Sequence, residues 1–355
     1  MQTWEHADWP HFRWQDSRLL EKVAATRLKQ GRLLGSLTRL EPQVRAETRL
    51  AVLIEEALAS FEIDGYSLDR RAVQVAVRGR LVAIGLAESL SSDRVGEGIV
   101  GMILDATANH GEPLGAARLF AWQAALFPSG YSRQRKVTIG AWRSDTNGPK
   151  LFADTPVELL DGEMQRFFAW FERRTEPEGL LRAGLALLWF ALLRPFDGGN
   201  GRIARAIADM ALAQSEGSGQ RFYSLSSQIR EERTEYLLQL ERARSGGLDV
   251  TEWLVWFVDC LARALDRALD SGAPILRQAD FWQHHARKPL SERQKAMLDR
   301  YLGDGTVAPT TRSWAALAQC SIPTAQRDIN DLVARNVLRR NPGGSKNTSY
   351  SLAAG

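Results

Sequence analysis

The sequence predicts a mainly α-helical protein built around one buried helix, a glycine-rich loop and the helix that follows it. Three observations lead there. Apolar residues recur at helical spacing through most of the 355 residues. One stretch, 180–193, is apolar except for Arg182, and it runs directly into Arg194-Pro195-Phe196-Asp197-Gly198-Gly199-Asn200-Gly201-Arg202-Ile203-Ala204-Arg205. In the middle of the chain, residues 129–152 break the helical habit and read as a β-hairpin.

Composition bounds the possibilities. With 44% apolar and 25% charged residues the chain is an ordinary globular one, long enough for two or three domains. Cys260 and Cys320 make no disulfide framework and no zinc pattern. The five histidines, His6, His11, His110, His284 and His285, form no metal-spaced cluster, and none lies between residues 111 and 283. Residues 1–14 do not look like a signal peptide, and no apolar run reaches membrane-spanning length. A cytoplasmic protein without membrane contact is expected. The formal net charge is +4, and residues 290–355 carry it with nine Lys/Arg against five Asp/Glu.

The elements follow in order. Residues 1–40 open with Trp4, Trp9, Phe12 and Trp14, an aromatic cluster that suits a docking surface, and continue as a helix through Leu19, Val23, Leu28 and Leu33. Residues 44–59 make an amphipathic helix that leads into Ser60-Phe61-Glu62-Ile63-Asp64-Gly65. Three more helices are expected near 69–85, 93–109 and 114–126. The hairpin is expected to hold Lys136 to Arg143 in its first strand and to turn at Asn147-Gly148. A helix over 155–175 precedes the apolar one, which ends at Pro195 because proline disfavours helix at the residue before it. Residues 249–269 form a further helix, and 271–289, with Pro274 and Pro289, read as a linker.

The loop invites an anion. Glycines let a ligand approach the backbone, Asn200 is a candidate N-cap for the next helix, and a helix N-terminus presents unpaired N–H groups at its positive end. Arg202 and Arg205 are three apart, on one helix face, and their guanidinium forks suit a polyphosphate. The competing reading is a plain turn with two solvated arginines.

At these residues the chain resembles the Fic family, whose signature is His-Pro-Phe-x-(Asp/Glu)-Gly-Asn-Gly-Arg-x-x-Arg. The resemblance implies a helical Fic-type core with a β-hairpin flap, over roughly residues 91–270. It implies transfer of AMP from ATP to a hydroxyl of a target protein, with Mg²⁺ on the phosphates. Gly199, Asn200, Gly201, Arg202 and Arg205 match the nucleotide-binding positions. The base position holds Arg194, which stays protonated and cannot take a proton. The metal position holds Gly198, which has no oxygen ligand. Asp197 is one residue out of register and a weak metal candidate. Activity is therefore expected to be impaired or lost while ATP binding is retained.

Further matches complete the resemblance. Ser60, Asp64 and Gly65 are similar to the inhibitory Ser/Thr-x-x-x-Glu-Gly/Asn helix of self-inhibiting members, within an N-terminal segment 1–90, with Asp64 one methylene shorter than the usual Glu. Ile139-Gly140-Ala141-Trp142-Arg143 resembles the target-binding flap, and Tyr236 the adenine side of the nucleotide site. Residues 290–355 give three helices and two strands around Pro342-Gly343-Gly344, the order of a winged helix. Arg327, Arg339, Arg340 and Lys346 are the DNA-contact candidates there, with a protein partner as the other reading. Homo-oligomerisation is left open, and a non-enzymatic nucleotide-responsive or DNA-binding regulator is the alternative function.

Overall fold

The structure, a computed structural model, describes residues 2–82, 94–132, 135–144, 155–174, 177–285, 288–304, 309–342 and 348–353. After a 3₁₀ turn at Thr3–Glu5, the helices α1 (Asp16–Leu37), α2 (Pro42–Ile63), α3 (Arg70–Val82), α4 (Arg94–Ala108) and α5 (Ala116–Leu126) follow. A short antiparallel pair comes next, β1 (Tyr131–Ser132) with β2 (Arg135–Lys136). Then come α6 (Val157–Arg173), α7 (Gly179–Leu193), α8 (Asn200–Glu216), α9 (Leu225–Glu231), α10 (Arg233–Ser245) and α11 (Thr251–His285). The chain closes with α12 (Glu292–Asp304), α13 (Thr311–Leu317), α14 (Ile322–Ala334), β3 (Leu338–Arg340) and β4 (Tyr350–Leu352). The predicted mainly α fold is the observed one.

Two compact units divide the chain: Met1–Leu33 with Arg45–Ala268, and Leu34–Val44 with Leu269–Gly355. In the first unit α7 is the core. Leu180, Leu185, Leu187, Leu188, Phe190 and Leu193 are all at most 2% exposed. Burying a Leu or Phe fully is worth about 1.5–3 kcal/mol, so α7 is held by what surrounds it rather than by its own propensity. It packs along α8, and α4 packs on α8 in turn. The Glu178 carboxylate caps α7 by accepting from the Leu180 and Leu181 N–H groups. Its one charge, Arg182, donates to the Phe171 carbonyl and to Gln214. The expected tryptophan docking surface is partly internal: Trp9 is buried, lies edge-on to Phe12 and Trp189, and donates to Glu163.

The second unit has its own core of Leu298, Trp314, Ile329, Leu332 and Val337, with Tyr301 stacked on Trp314. β3 pairs antiparallel with β4, Leu338 opposite Leu352. Gly343 and Gly344 of the expected Pro342-Gly343-Gly344 turn lie outside the described residues.

Two expectations need correction. The linker expected over 271–289 is helical as far as His285, because α11 continues through Pro274. Phe281 is buried in the second unit's core, and Gln278 and Trp282 both donate to Asp299 of α12, so this half of the helix is paid for by side chains rather than by sequence periodicity. The hairpin also sits earlier than expected. Its strands are 131–132 and 135–136, and residues 137–143 form no strand. The Val137 N–H still donates to the Gly130 carbonyl, but beyond it the bonds go elsewhere: the Thr138 N–H donates to Asp197, the Thr138 carbonyl accepts from Gln123, and the Arg143 N–H donates to the Pro195 carbonyl. The expected Asn147-Gly148 turn lies outside the described residues.

Candidate functional site

The site starts where α7 stops. Arg194 ends the helix in the left-handed region, φ 45° and ψ 58°, and its N–H still donates to the Phe190 carbonyl. A non-glycine residue there costs about 1–2 kcal/mol, and Pro195 forbids continuing the helix. The loop then folds on itself. Asn200 accepts from the Phe196 N–H at 3.0 Å and donates to the Phe196 carbonyl at 2.7 Å. So Asn200 is not the N-cap of α8. Gly199 occupies that position at φ 83°, and Asn200 staples the loop as the first helical residue. Its side chain reaches back to the loop and leaves the amides at the helix start for another partner.

The two motif arginines are buried, which removes the solvated-turn reading. Arg202 is 4% and Arg205 1% exposed. Both meet one carboxylate. Asp64 accepts from Arg202 Nε at 3.2 Å through one oxygen and from Arg205 Nη2 at 3.1 Å through the other. The Ser60 hydroxyl accepts from Arg205 Nε at 3.0 Å, and its carbonyl accepts from Arg205 Nη2 at 2.5 Å. The shorter aspartate thus reaches, and bridges both arginines. Gly201 makes the approach possible: a Cβ there would lie 2.9 Å from Asp64 Oδ1 and 3.1 Å from Arg205 Nη1. The Arg202 guanidinium also stands 4.4 Å from the Phe61 ring centre and 5.2 Å from that of Phe127.

Burial sets the electrostatics. It pulls the Arg202 pKa below the ordinary guanidinium value, with Asp64 opposing and Arg205 adding to the fall. Burial works against Arg205 as well, but Asp64, Tyr236 and Glu56 outweigh it and raise its pKa. Arg205 Nη1 is buried without a hydrogen-bond partner among the described residues. Tyr236 is 3% exposed, and burial pushes its pKa up.

The flap residues lie beside this loop. Trp142 packs 4.5 Å from Phe120 and 5.1 Å from Phe196, centre to centre. Arg143 Nε donates to the Arg194 carbonyl at 2.8 Å. Ile139, Gly140 and Ala141 are exposed between these anchors, with Gly140 at φ 73°.

A cavity of about 540 Å³ opens over the motif, lined by Asp64, Tyr66, Arg194, the loop 197–202, Arg205 and Tyr236. Leu237 and Leu240 form its apolar side. Gly65 is absent from this lining and turns the chain after α2 at φ 78°. Arg135, Arg233 and Arg244 also line the cavity. Arg135 and Arg244 had no signal in the sequence, because only folding brings them here. A second group also escaped sequence reading. Glu56 of α2, Asp209 and Glu216 of α8 and Arg221 are all buried together, and burial and Glu56 push the Asp209 pKa up to about 8.

The cavity suits a nucleotide's phosphates but not a divalent cation. Gly198 offers no side-chain oxygen, and a Cβ there would meet the Phe127 ring at 3.1 Å. The Asp197 carboxylate accepts from the Thr138 N–H at 3.1 Å, and its carbonyl accepts from Arg135 at 2.6 Å. No group of three His, Cys, Asp or Glu side chains stands together among the described residues. Magnesium wants oxygen ligands in a regular octahedron, and the carboxylates lining this cavity, Asp64 and Asp197, already accept hydrogen bonds from Arg202, Arg205 and Thr138.

In the second unit, Arg327 is exposed on α14, and Arg339 and Arg340 are exposed on β3, where they donate to Ser351 and Thr348. Lys346 lies outside the described residues. No helix among the described residues is long and apolar enough to cross a membrane.

Comparison with known proteins agrees with this fold. Residues 3–82 match the family model described as a domain of unknown function, DUF4172. No curated protein matches the chain. The fold is similar to the crystal structure of a Fic family protein from Desulfovibrio desulfuricans G20, at 18% identity and a TM-score of 0.55, over 94% of this chain and 95% of that one. It is also similar to a variant fragment of Fic-1 from C. elegans, at 14% identity and a TM-score of 0.51, over 72% and 74% of the two chains. Residues 113–212, which hold the flap, α7, the glycine loop and the start of α8, match the model of the Fic/DOC family.

Proposed function

We propose that the chain binds ATP over the glycine loop and that AMP transfer from it is silenced. The observation that carries this is the pair of buried arginines held by one removable carboxylate, Asp64, beside Arg194 at the end of α7. Phosphates at Arg202 and Arg205 would take the place of the Asp64 oxygens. In AMP transfer a target hydroxyl oxygen bonds to the α-phosphorus, pyrophosphate leaves, and the hydroxyl proton needs an acceptor. Arg194 already carries its proton and cannot accept another. A positioned base is worth about 10²–10⁴-fold, so transfer falls by at least that much. The exposed backbone of Ile139 to Ala141 is the segment against which a target would lie.

The test is label transfer from α-labelled ATP with Mg²⁺ in cell lysate. The unmodified chain is compared with Arg194→His, Gly198→Asp and with the same pair plus Asp64→Ala. Labelling only by the restored variants is expected, strongest where Asp64 is also removed. Equal labelling by the unmodified chain would overturn the silencing.

A second reading, a regulator that binds DNA through a winged helix, is favoured by one observation, the exposed Arg327, Arg339 and Arg340 on α14 and β3. Binding to duplex DNA that weakens steeply with salt is its expected signature. An affinity indifferent to salt, or none, would remove it.

A further inference from the structure

The same cavity differs from a metal-assisted phosphate site in its balance of charge. Six arginines line it, at 135, 194, 202, 205, 233 and 244, against two aspartates, Asp64 and Asp197. Both aspartates already accept hydrogen bonds. Asp64 bridges Arg202 and Arg205, and Asp197 accepts from the backbone of Thr138. The place where the family signature puts an acidic side chain holds Gly198, which has none, and a Cβ there would stand 3.1 Å from the Phe127 ring. A buried donor remains over: Arg205 Nη1, on a residue 1% exposed, has no hydrogen-bond partner among the described residues. A buried guanidinium donor left unpaired is costly, and an anionic oxygen is the partner that best satisfies it.

A polyphosphate needs its charge neutralised before it can leave water. Mg²⁺ commonly does this by bridging phosphate oxygens. Here the cavity itself carries the positive charge, and guanidinium groups bind phosphate without a metal. The apolar side, Leu237 and Leu240 next to buried Tyr236, gives a base something to lie on, and Leu237 is 43% exposed there. We infer that this cavity binds a nucleoside triphosphate without a divalent cation, with its arginines in the metal's place and with Asp64 as the competitor the phosphates displace. The inference rests on the nucleotide-binding reading above and goes further in excluding the metal from the complex.

Two consequences separate it from ordinary Mg-nucleotide binding. Chelation leaves affinity unchanged, and Arg194 contributes to affinity instead of to chemistry. The experiment is calorimetric titration of the full chain, and of Asp64→Ala and Asp64→Asn, with ATP in excess EDTA and again in excess Mg²⁺. Arg194→Ala is titrated alongside. Thermal melting of each variant reports whether it is folded, and the asparagine variant keeps the side-chain shape should the alanine variant be too unstable. The expected result is an affinity for free ATP at least equal to that for Mg-ATP. Removing the Asp64 charge tightens it about tenfold or more, and Arg194→Ala weakens it about tenfold, the effect of one charged hydrogen bond. Binding only in Mg²⁺ would overturn the inference and leave the nucleotide-binding reading standing. No ATP binding by the folded chain or by either folded Asp64 variant, in EDTA or in Mg²⁺, would remove both.

Discussion

Asp64→Ala is the most informative single change. Its carboxylate is 22% exposed, and the side chains it pairs are 4% and 2% exposed for Arg202 and Arg205. Removing it leaves two buried guanidinium groups without their anion. Breaking a buried ion pair by deleting one partner costs about 3–5 kcal/mol. Part of that cost is offset here. Ser60 still accepts from Arg205 through its hydroxyl and carbonyl, and the Phe61, Tyr66 and Phe127 rings still surround Arg202. We therefore expect a loss of about 3 kcal/mol, the lower end of that range. The assay is urea denaturation of the full chain, following the transition of the first unit, since two units need not unfold together. Added ATP should restore stability in Asp64→Ala by about 2.7 kcal/mol at a hundredfold excess over its dissociation constant. Asp64→Asn should behave alike, because the charge is what the arginines lack. A loss under about 1 kcal/mol, the range of an exposed pair, would refute the claim that Asp64 carries the burial of both arginines.

Three further outcomes are expected. Gly201→Ala places a methyl 2.9 Å from Asp64 Oδ1, so it should cost about 1–3 kcal/mol and loosen the α2 end, seen as faster hydrogen exchange of residues 60–65. Asp209 holds its proton in the fold up to about pH 8 and has an ordinary value of 3.8 once unfolded, so its contribution to stability is full below 3.8 and is lost as pH rises through about 8. Asp209→Asn should therefore flatten the fall in stability between about pH 5 and about pH 8, and an unchanged slope in urea titrations would count against that protonation. Trp314→Ala empties the centre of the second unit, where Trp314 is 0% exposed, and should cost that unit about 3–5 kcal/mol, measured as an early transition that leaves the first unit's melting in place.

Periodicity and local chemistry made much of this molecule legible. The apolar run became α7, the glycine loop became the α7–α8 connection, and Ser60 and Asp64, which the resemblance singled out as an inhibitory remnant, stand against Arg205. The first two depend on residues near one another in sequence, whereas Asp64 and Arg205 are 141 residues apart and were linked through a family resemblance. Errors fell where long-range partners decide. A strand needs its neighbour, and the backbone of 138–143 found Asp197, Gln123 and Pro195 instead of another strand. A helix containing proline needs outside support, and residues 271–285 found it in Asp299 and the second unit's core.

By itself the sequence determined which side chains are available: arginine and glycine at the positions where the resemblance implies a base and a metal ligand, and an aspartate where it implies a glutamate. Only the tertiary structure decided what those changes do. It brought Asp64 within reach of both arginines, laid the Phe127 ring over Gly198 and turned three more arginines into the same cavity. The physical reason is distance. Charge pairing and steric exclusion act over a few ångströms, and residues 64, 127, 135, 194, 202 and 244 come that close only when the helices that carry them have packed.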